Sequence, residues 1–204
     1  MSHALPRFGR NLMMLAAMLW TAVAVAGCGV NNIPTYEEQA KAAWSEVQNN
    51  YKRRADLIPN LVETVKGFAA QESKVLLEVI EARAKATSVQ LPADILNNPE
   101  ALKKFEDAQT GLGGALSRLL VVTENYPELK SNANFLKLQD QLEGTENRVT
   151  VSRRDYILAV QQYNTELKTI PGRWWKSLLY PTAKEMATFT APETDQVAPK
   201  VKFN

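Results

Sequence analysis

The residues of this 204-residue chain whose types and spacing could do chemistry fall into a few groups. The densest is Lys52-Arg53-Arg54-Ala55-Asp56-Leu57-Ile58-Pro59-Asn60-Leu61-Val62-Glu63-Thr64-Val65-Lys66-Gly67, where Arg53, Asp56, Asn60 and Glu63 recur at intervals of three and four before Gly67. On a helix that spacing places them on one face, apart from the apolar seam. Further along, Glu146, Arg148, Arg154 and Asp155 offer matching charges. The row therefore has two readings. It sets helix register, as an interhelical ion network or a solvated face, or it lines a groove for a partner's helix or peptide. A second group is Gly111-Leu112-Gly113-Gly114. A phosphate-cradling loop needs a strand before it, and these glycines sit inside a helical pattern, so close approach of a neighbouring helix is their expected role. Carboxylates and tyrosines could exchange protons, but no pair of acids is singled out by spacing.

The only histidine is His3 and the only cysteine Cys28. Zinc and copper ligand sets, and Cys-His or Ser-His pairs, cannot be assembled from a chain that has lost its first residues. No catalytic residue, cofactor or metal site is expected, and no enzymatic activity. Cys28 itself points to a different chemistry. Arg7 and Arg10 precede an apolar run, Leu12 to Val25, whose most polar member is Thr21. That run is short of the roughly 20 residues a membrane-spanning helix needs, and it leads into small residues, as a secretory signal does. Val25-Ala26-Gly27-Cys28 resembles the bacterial lipobox, in which the chain is cut before a cysteine bearing diacylglycerol. The expected organisation is a lipoprotein signal peptide over 1–27, a lipidated tether over 28–34, a helical bundle over 35–190 and an extended tail over 191–204. The alternative is an uncleaved N-terminal helix from Leu12 to about Val30 in the inner membrane. With Gly29 after the cysteine, where an inner-membrane retention signal would place aspartate, the outer membrane is the expected address, with the protein facing the periplasm.

Cleavage removes Arg7, Arg10 and His3, leaving 22 of the 24 basic side chains against 22 acidic ones. A chain so balanced lacks the basic excess that nucleic acid demands. The lone cysteine makes no internal disulfide.

The elements that must position these groups are helices. Thr35-Tyr36-Glu37-Glu38 has the form of a capping box. From there Trp44, Val47, Tyr51, Ala55, Ile58, Val62, Val65, Ala69, Glu72, Leu76 and Val79 form a seam at three and four, which predicts one long helix, kinked at Pro59, to about Lys85. Asn98-Pro99 is a cap and first-turn pair for a second helix to Asn125, with Leu102, Phe105, Leu112, Leu116 and Leu119 inward. After Tyr126-Pro127, Ser131 or Asn134 opens a third helix, whose seam runs from Phe135 through Leu142, Val149, Tyr156 and Tyr163 to Leu167. Pro171-Gly172 stops it, and a short helix over 173–180 carries Trp174 and Trp175, expected to cap the bundle's end rather than to meet a membrane. The fold class is all-α: an elongated antiparallel bundle of three long or medium helices plus a short C-terminal one, resembling a four-helix bundle. The seams do not specify an oligomeric state.

Several of these stretches resemble the LemA family of bacterial membrane-associated proteins. The resemblance is carried by Arg53 to Val62 with Gly67, by Glu124-Asn125-Tyr126-Pro127, by Leu138 to Arg154 with its Glu146-Asn147-Arg148, and by Tyr163-Asn164 before Pro171-Gly172. It covers nearly all of Thr35 to Phe203. It implies an antiparallel, mostly four-helix bundle held at a membrane by its N-terminus, with no agreed activity, cofactor or catalytic residue. The lipobox departs from the transmembrane anchor usual there, and Trp174-Trp175-Lys176 departs from a smaller, glycine-containing stretch. The functional expectation is a non-enzymatic interaction or scaffolding module of the cell envelope, membrane-bound through lipid on Cys28, with a protein partner. The alternatives are a lipid- or small-molecule-binding bundle, marked by an apolar cavity between helices, and a carboxylate enzyme, marked by a deep pocket with two or more acids.

Overall fold

The computed structural model describes residues 29–190, together with Asn11, Met13, Met14 and Ala17. Most of the stretch expected to be a signal peptide, Cys28 and the expected tail over 191–204 lie outside the described residues. Those described form helices α1 (Asn32–Lys66), α2 (Ser73–Ser88), α3 (Pro99–Thr123), α4 (Pro127–Lys130), α5 (Ala133–Lys168) and α6 (Gly172–Leu178), with a 3-10 turn at Ile95–Asn97 and an extended run over 183–190. No strand occurs among them. With 35 and 36 residues, α1 and α5 each reach on the order of 50 Å.

The protein is all-α, and its four longer helices alternate in direction. Asn32 of α1 bonds Glu166 of α5 while Arg54 bonds Glu146, so those two helices run antiparallel. Arg118 pairs with Glu78, and Gln109 donates to the Ala86 carbonyl, so α3 runs antiparallel to α2. The close packings are α1 on α5, α2 on α3 and α1 on α2. The α3–α5 side is wider and open.

The first helix is shorter than its seam predicts. It ends at Lys66, the chain reverses over 67–72, and α2 returns along it. The amides of Phe68 and Ala69 both turn back to the Val65 carbonyl. Ala69, Leu76 and Val79 are buried as the seam requires, but from the reversal and the returning helix. A three-and-four spacing reports which residues face the core and is blind to a reversal that preserves the count. The N-terminus also differs. The helix begins at Asn32, inside the stretch expected to be tether, and Asn31 gives it no side-chain cap. Thr35 lies within the first turn, its amide bonded to the Asn31 carbonyl, so no capping box forms there. Burial of Ile33, 1% exposed, holds this extra turn in place. Pro34 is tolerated because first-turn amides have no helical acceptor.

Pro59 stays inside α1. A proline lacks the N–H that would reach the carbonyl four residues back. That carbonyl belongs to Ala55, and it accepts instead from Arg83 Nε on α2 at 2.7 Å. The proline thus frees an acceptor by which the second helix is fastened to the first. The other caps follow the sequence. Asn98 accepts from the Ala101 amide at the start of α3, and Asn132 from the amides of Asn134 and Phe135 at the start of α5. Tyr126, in the corner after α3, donates to Glu72 in the corner after α1 at 2.7 Å, joining the two turns at one end.

Two apolar clusters fill the bundle. Ile33, Trp44, Tyr51, Phe105, Tyr156, Tyr163 and Phe189 dominate one, and Ile58, Val65, Leu112, Leu119, Leu129 and Phe135 the other. The extended C-terminal run belongs to the first. Asn164 donates to the Met186 carbonyl at 2.8 Å and accepts from its amide at 2.9 Å, while Tyr156 donates to the Ala187 carbonyl at 2.7 Å. Gly172 is required where α5 turns into α6, since a Cβ there would lie 2.1 Å from the Glu166 carbonyl oxygen.

Candidate functional site

Between the two clusters lies a layer of polar side chains, and it is built on Arg54. This arginine sits three residues after Tyr51 and four before Ile58, on the apolar seam itself, and it is 3% exposed. Its Nη1 donates to both Glu146 oxygens, at 3.0 and 3.2 Å. Its Nη2 donates to the Gln109 carbonyl at 3.0 Å and to Gln109 Oε1 at 2.7 Å, and its charge lies 5.0 Å from the Tyr51 ring centre. Gln109 holds the same seam position on α3 and is likewise buried. One turn towards the aromatic cluster, Arg153 of α5 pairs with Glu106 of α3, donates to the Tyr51 hydroxyl at 3.3 Å and covers the Phe189 ring at 4.3 Å. Burial pushes the Tyr51 phenol up, against the opposing pull of Arg153 and Arg54.

The row singled out by spacing lies elsewhere. Arg53, Asp56, Asn60 and Glu63 are all exposed. Arg53 lines a shallow hollow of about 270 Å³ with Asp140 and Arg148 of α5, and Glu63 meets only its own neighbour Lys66, at 3.8 Å. Of the matching charges, Glu146 does reach across to α1, but to Arg54, while Arg154 and Asp155 pair with each other on the surface. The interhelical network expected from Arg53 and its fellows is made one position further on. The signal was a charged residue at a seam position, with Gln109 and Glu106 beside the seam of α3.

The glycines of α3 also have another role than expected. A Cβ on Gly111 would meet nothing within 4 Å, and one on Gly114 would meet only Arg118 of the same helix. Gly113 faces Arg54 Nη1 at 4.0 Å. No helix approaches closely. Instead, Gly113 and Glu146 line both of two adjoining cavities, about 590 and 450 Å³, which lie along the open α3–α5 side and open to solvent. Together these make a groove running along α5 from Gln139 to Leu158, nearly 30 Å at 1.5 Å per residue. Arg54 and Gln109 form its floor, Leu116, Leu120 and Leu158 its apolar margins. Glu143 lies towards one end, Glu146 at the junction of the two cavities, and Arg153 and Arg154 towards the other end. Among the described residues no group of three His, Cys, Asp or Glu is arranged to hold a metal ion.

Comparison with known proteins places this architecture. The sequence model of the LemA family matches residues 43–203. The chain belongs to the LemA family. It is 26% identical to magnetosome protein MamQ 2 of Paramagnetospirillum magneticum, over 90% of this chain and 74% of that protein. Protein LemA of Metamycoplasma hominis is 22% identical over 68% of this chain and 59% of its own length. The motifs that resembled the family now have structural roles in this LemA-family chain. Arg54 and Glu146 build the polar layer, Pro59 frees the acceptor for Arg83, Tyr126 joins two corners, Asn164 holds the C-terminal run, and Gly172 makes room for the Glu166 carbonyl.

Proposed function

We propose that this LemA-family protein is a lipid-anchored interaction module of the bacterial cell envelope, non-enzymatic, tethered through Cys28 and presenting the α3–α5 groove to a protein partner. One observation carries the reading: Arg54 and Arg153 along the groove are each already paired with a carboxylate, although Arg54 Nε is buried without a hydrogen-bond partner, while the groove's margins are apolar and open. Arg54 is neutralised by Glu146, and Arg153 by Glu106, so the floor acts as a strut rather than as acid or base. The groove's length suits an elongated segment such as an amphipathic helix, which would lay an apolar stripe between Leu120 and Leu158. Glu143, exposed at one end, gives that segment a polarity, with a basic residue set towards it. An enclosed apolar chamber, which a lipid or small-molecule carrier requires, does not describe cavities that open to solvent and carry charges.

A photo-crosslinking side chain at Thr150, on the groove, and another at Glu81, exposed on α2, test the reading in native membranes. Thr150 is expected to yield a discrete adduct that disappears when Leu158→Asp is added, with Glu81 giving none. Equal yields from the two positions overturn the groove. Intact mass tests the anchor separately, since a lipidated chain starting at Cys28 is expected from the wild type and an unprocessed precursor from Cys28→Ser.

A further inference from the structure

The tryptophan pair expected to cap the bundle does so only in part. Trp175 packs against the aromatic cluster, whereas Trp174 is 61% exposed. Trp174 has company. Ile170, in the turn before α6, and Leu178 and Leu179 at its end are 64%, 73% and 50% exposed, and Trp174 and Leu178 lie four residues apart on the helix, so large apolar side chains face outward at this end as one apolar stripe. Such a patch is unusual on a soluble surface unless something covers it.

Charge and position identify the cover. From Leu167 to Lys184 the chain contains Lys168, Arg173, Lys176 and Lys184 and no acid. Lys168, Arg173 and Lys176 line a hollow of about 580 Å³ beside the apolar stripe. Lys168 is paired with Glu185 at 2.8 Å, which leaves Arg173 and Lys176 as the cations flanking Trp174. Aromatic rings bordered by basic side chains are what a lipid headgroup layer selects, the rings at the boundary and the cations on phosphate. The chain comes in at the same place. The Cβ position of Gly29 lies 3.6 Å from Pro171 Cγ, and Asn32 donates to Glu166 at 3.3 Å, so the residue after Cys28 rests against the turn that leads into α6. The apolar run Leu12 to Val25 and Cys28 precede that point directly.

We infer that α6 is a second membrane contact: Ile170, Trp174 and Leu178 enter the interface while Arg173 and Lys176 bind anionic lipid phosphate, beside the N-terminal anchor. The inference rests on the proposed anchoring, and it adds what a tether cannot supply, which is orientation. One point of attachment lets the bundle swivel. A second within the same end stands α1 and α5 away from the bilayer and directs the groove sideways, parallel to it.

The full-length protein, reconstituted into vesicles of phosphatidylethanolamine and phosphatidylglycerol that contain a brominated lipid, provides the test. Flotation reports anchoring, and tryptophan quenching reports docking. The quenched signal lost on Trp174→Phe isolates that ring from Trp44 and Trp175, the other tryptophans of a chain that starts at Cys28. Trp174 is expected to be quenched in anionic vesicles and less so in phosphatidylcholine. Arg173→Gln with Lys176→Gln should lower the docked-to-undocked ratio by roughly an order of magnitude, as loss of two cations near an anionic surface predicts. Since these side chains are exposed or half-buried, unchanged thermal unfolding of the variants separates docking from stability. Protein that floats while Trp174 stays unquenched overturns docking and leaves the anchor standing. Trp174 shielded by a second copy, seen as a dimer in detergent with no quenching, also overturns it. Protein that does not float overturns both.

Discussion

The two halves of the bundle are held together differently. The half nearest the chain's first described residues is aromatic: Trp44 lies 5.4 Å from Phe105 and from Tyr156, and Tyr156 lies 5.5 Å from Phe189. Its tyrosines carry hydroxyls, and it faces an extended segment that makes no helical hydrogen bonds of its own, so Tyr156, Asn164 and the Leu96 carbonyl supply them. The far half is mainly aliphatic, with Phe135 as its one fully buried ring, and needs no such partners because its backbone groups lie in helices or tight corners. A buried segment without secondary structure must have its polar groups met by side chains. That demand, rather than ring stacking, accounts for where Tyr156 and Asn164 fall. The Arg54 layer divides the two.

Removing one large side chain from each half should break the comparison most visibly. Trp44→Ala is expected to cost about 3–5 kcal/mol and Leu119→Ala about 2–5, both from loss of burial plus a cavity. Their local effects should differ. Trp44 stacks on Phe189 at 6.0 Å, so its loss should raise amide hydrogen exchange at Met186 and Ala187, whereas Leu119→Ala should leave those amides at their global rate. Equal exchange in the two variants would make the halves one cooperative unit.

The dividing layer comes next in size. Arg54→Ala should destabilise by about 3 kcal/mol, because it strands the buried Gln109 Oε1 and leaves a hole. Arg54→Met keeps the volume and should cost about 1 kcal/mol, since Glu146 is 43% exposed and can turn to water. Chemical denaturation separates the outcomes. If methionine proves as costly as alanine, hydrogen bonding rather than packing holds the layer.

Alkaline pH discriminates between the halves more gently. Burial pushes Tyr163 up to about 12 and Tyr156 further up, both in the aromatic half. A phenol held protonated by the fold contributes its full stability below its unfolded pKa, near 10, and loses it as pH rises towards the folded value. Stability should therefore fall above about pH 10, by up to about 1.4 kcal/mol per pH unit for each such tyrosine. Tyr163→Phe should flatten that slope when melting is followed between pH 9 and 11, while a far-half change such as Leu112→Val should not.

Much of this division was legible in the sequence and some was not. The seams named the buried residues of α1, α3 and α5, and Asn98-Pro99 located a helix start, because burial and capping depend on neighbours three or four residues away. The reversal after Lys66 was invisible to the same logic. A turn that keeps the seam in phase leaves the periodic signal intact, and only Gly67 and the exposed Phe68 mark it. The α3 glycines misled in the opposite sense, since their small size serves an open side of the bundle rather than a tight crossing. Arg54 stands on the apolar seam, outside any polar row defined apart from it, and a buried charge is most informative there.

The smallest expected effect concerns the row that spacing picked out. Arg53, Asp56, Asn60 and Glu63 stand on the outer face of α1, and Glu63 is 74% exposed with Lys66 as its neighbour at 3.8 Å. An exposed pair of this kind is worth at most a few tenths of a kcal/mol, because water competes for both ends. Glu63→Ala should therefore shift stability by no more than about 0.5 kcal/mol, within the range of ordinary surface changes. Set beside Arg54→Ala, only a few residues away, the difference measures what burial adds to a charge. The substitution also isolates any role in binding, since a thermally silent variant that loses a crosslinked partner has lost a contact and not a fold. A loss above 1 kcal/mol in urea denaturation would show that the outer face of α1 is covered in the folded protein, and the division between a buried layer and a solvated row would have to be redrawn.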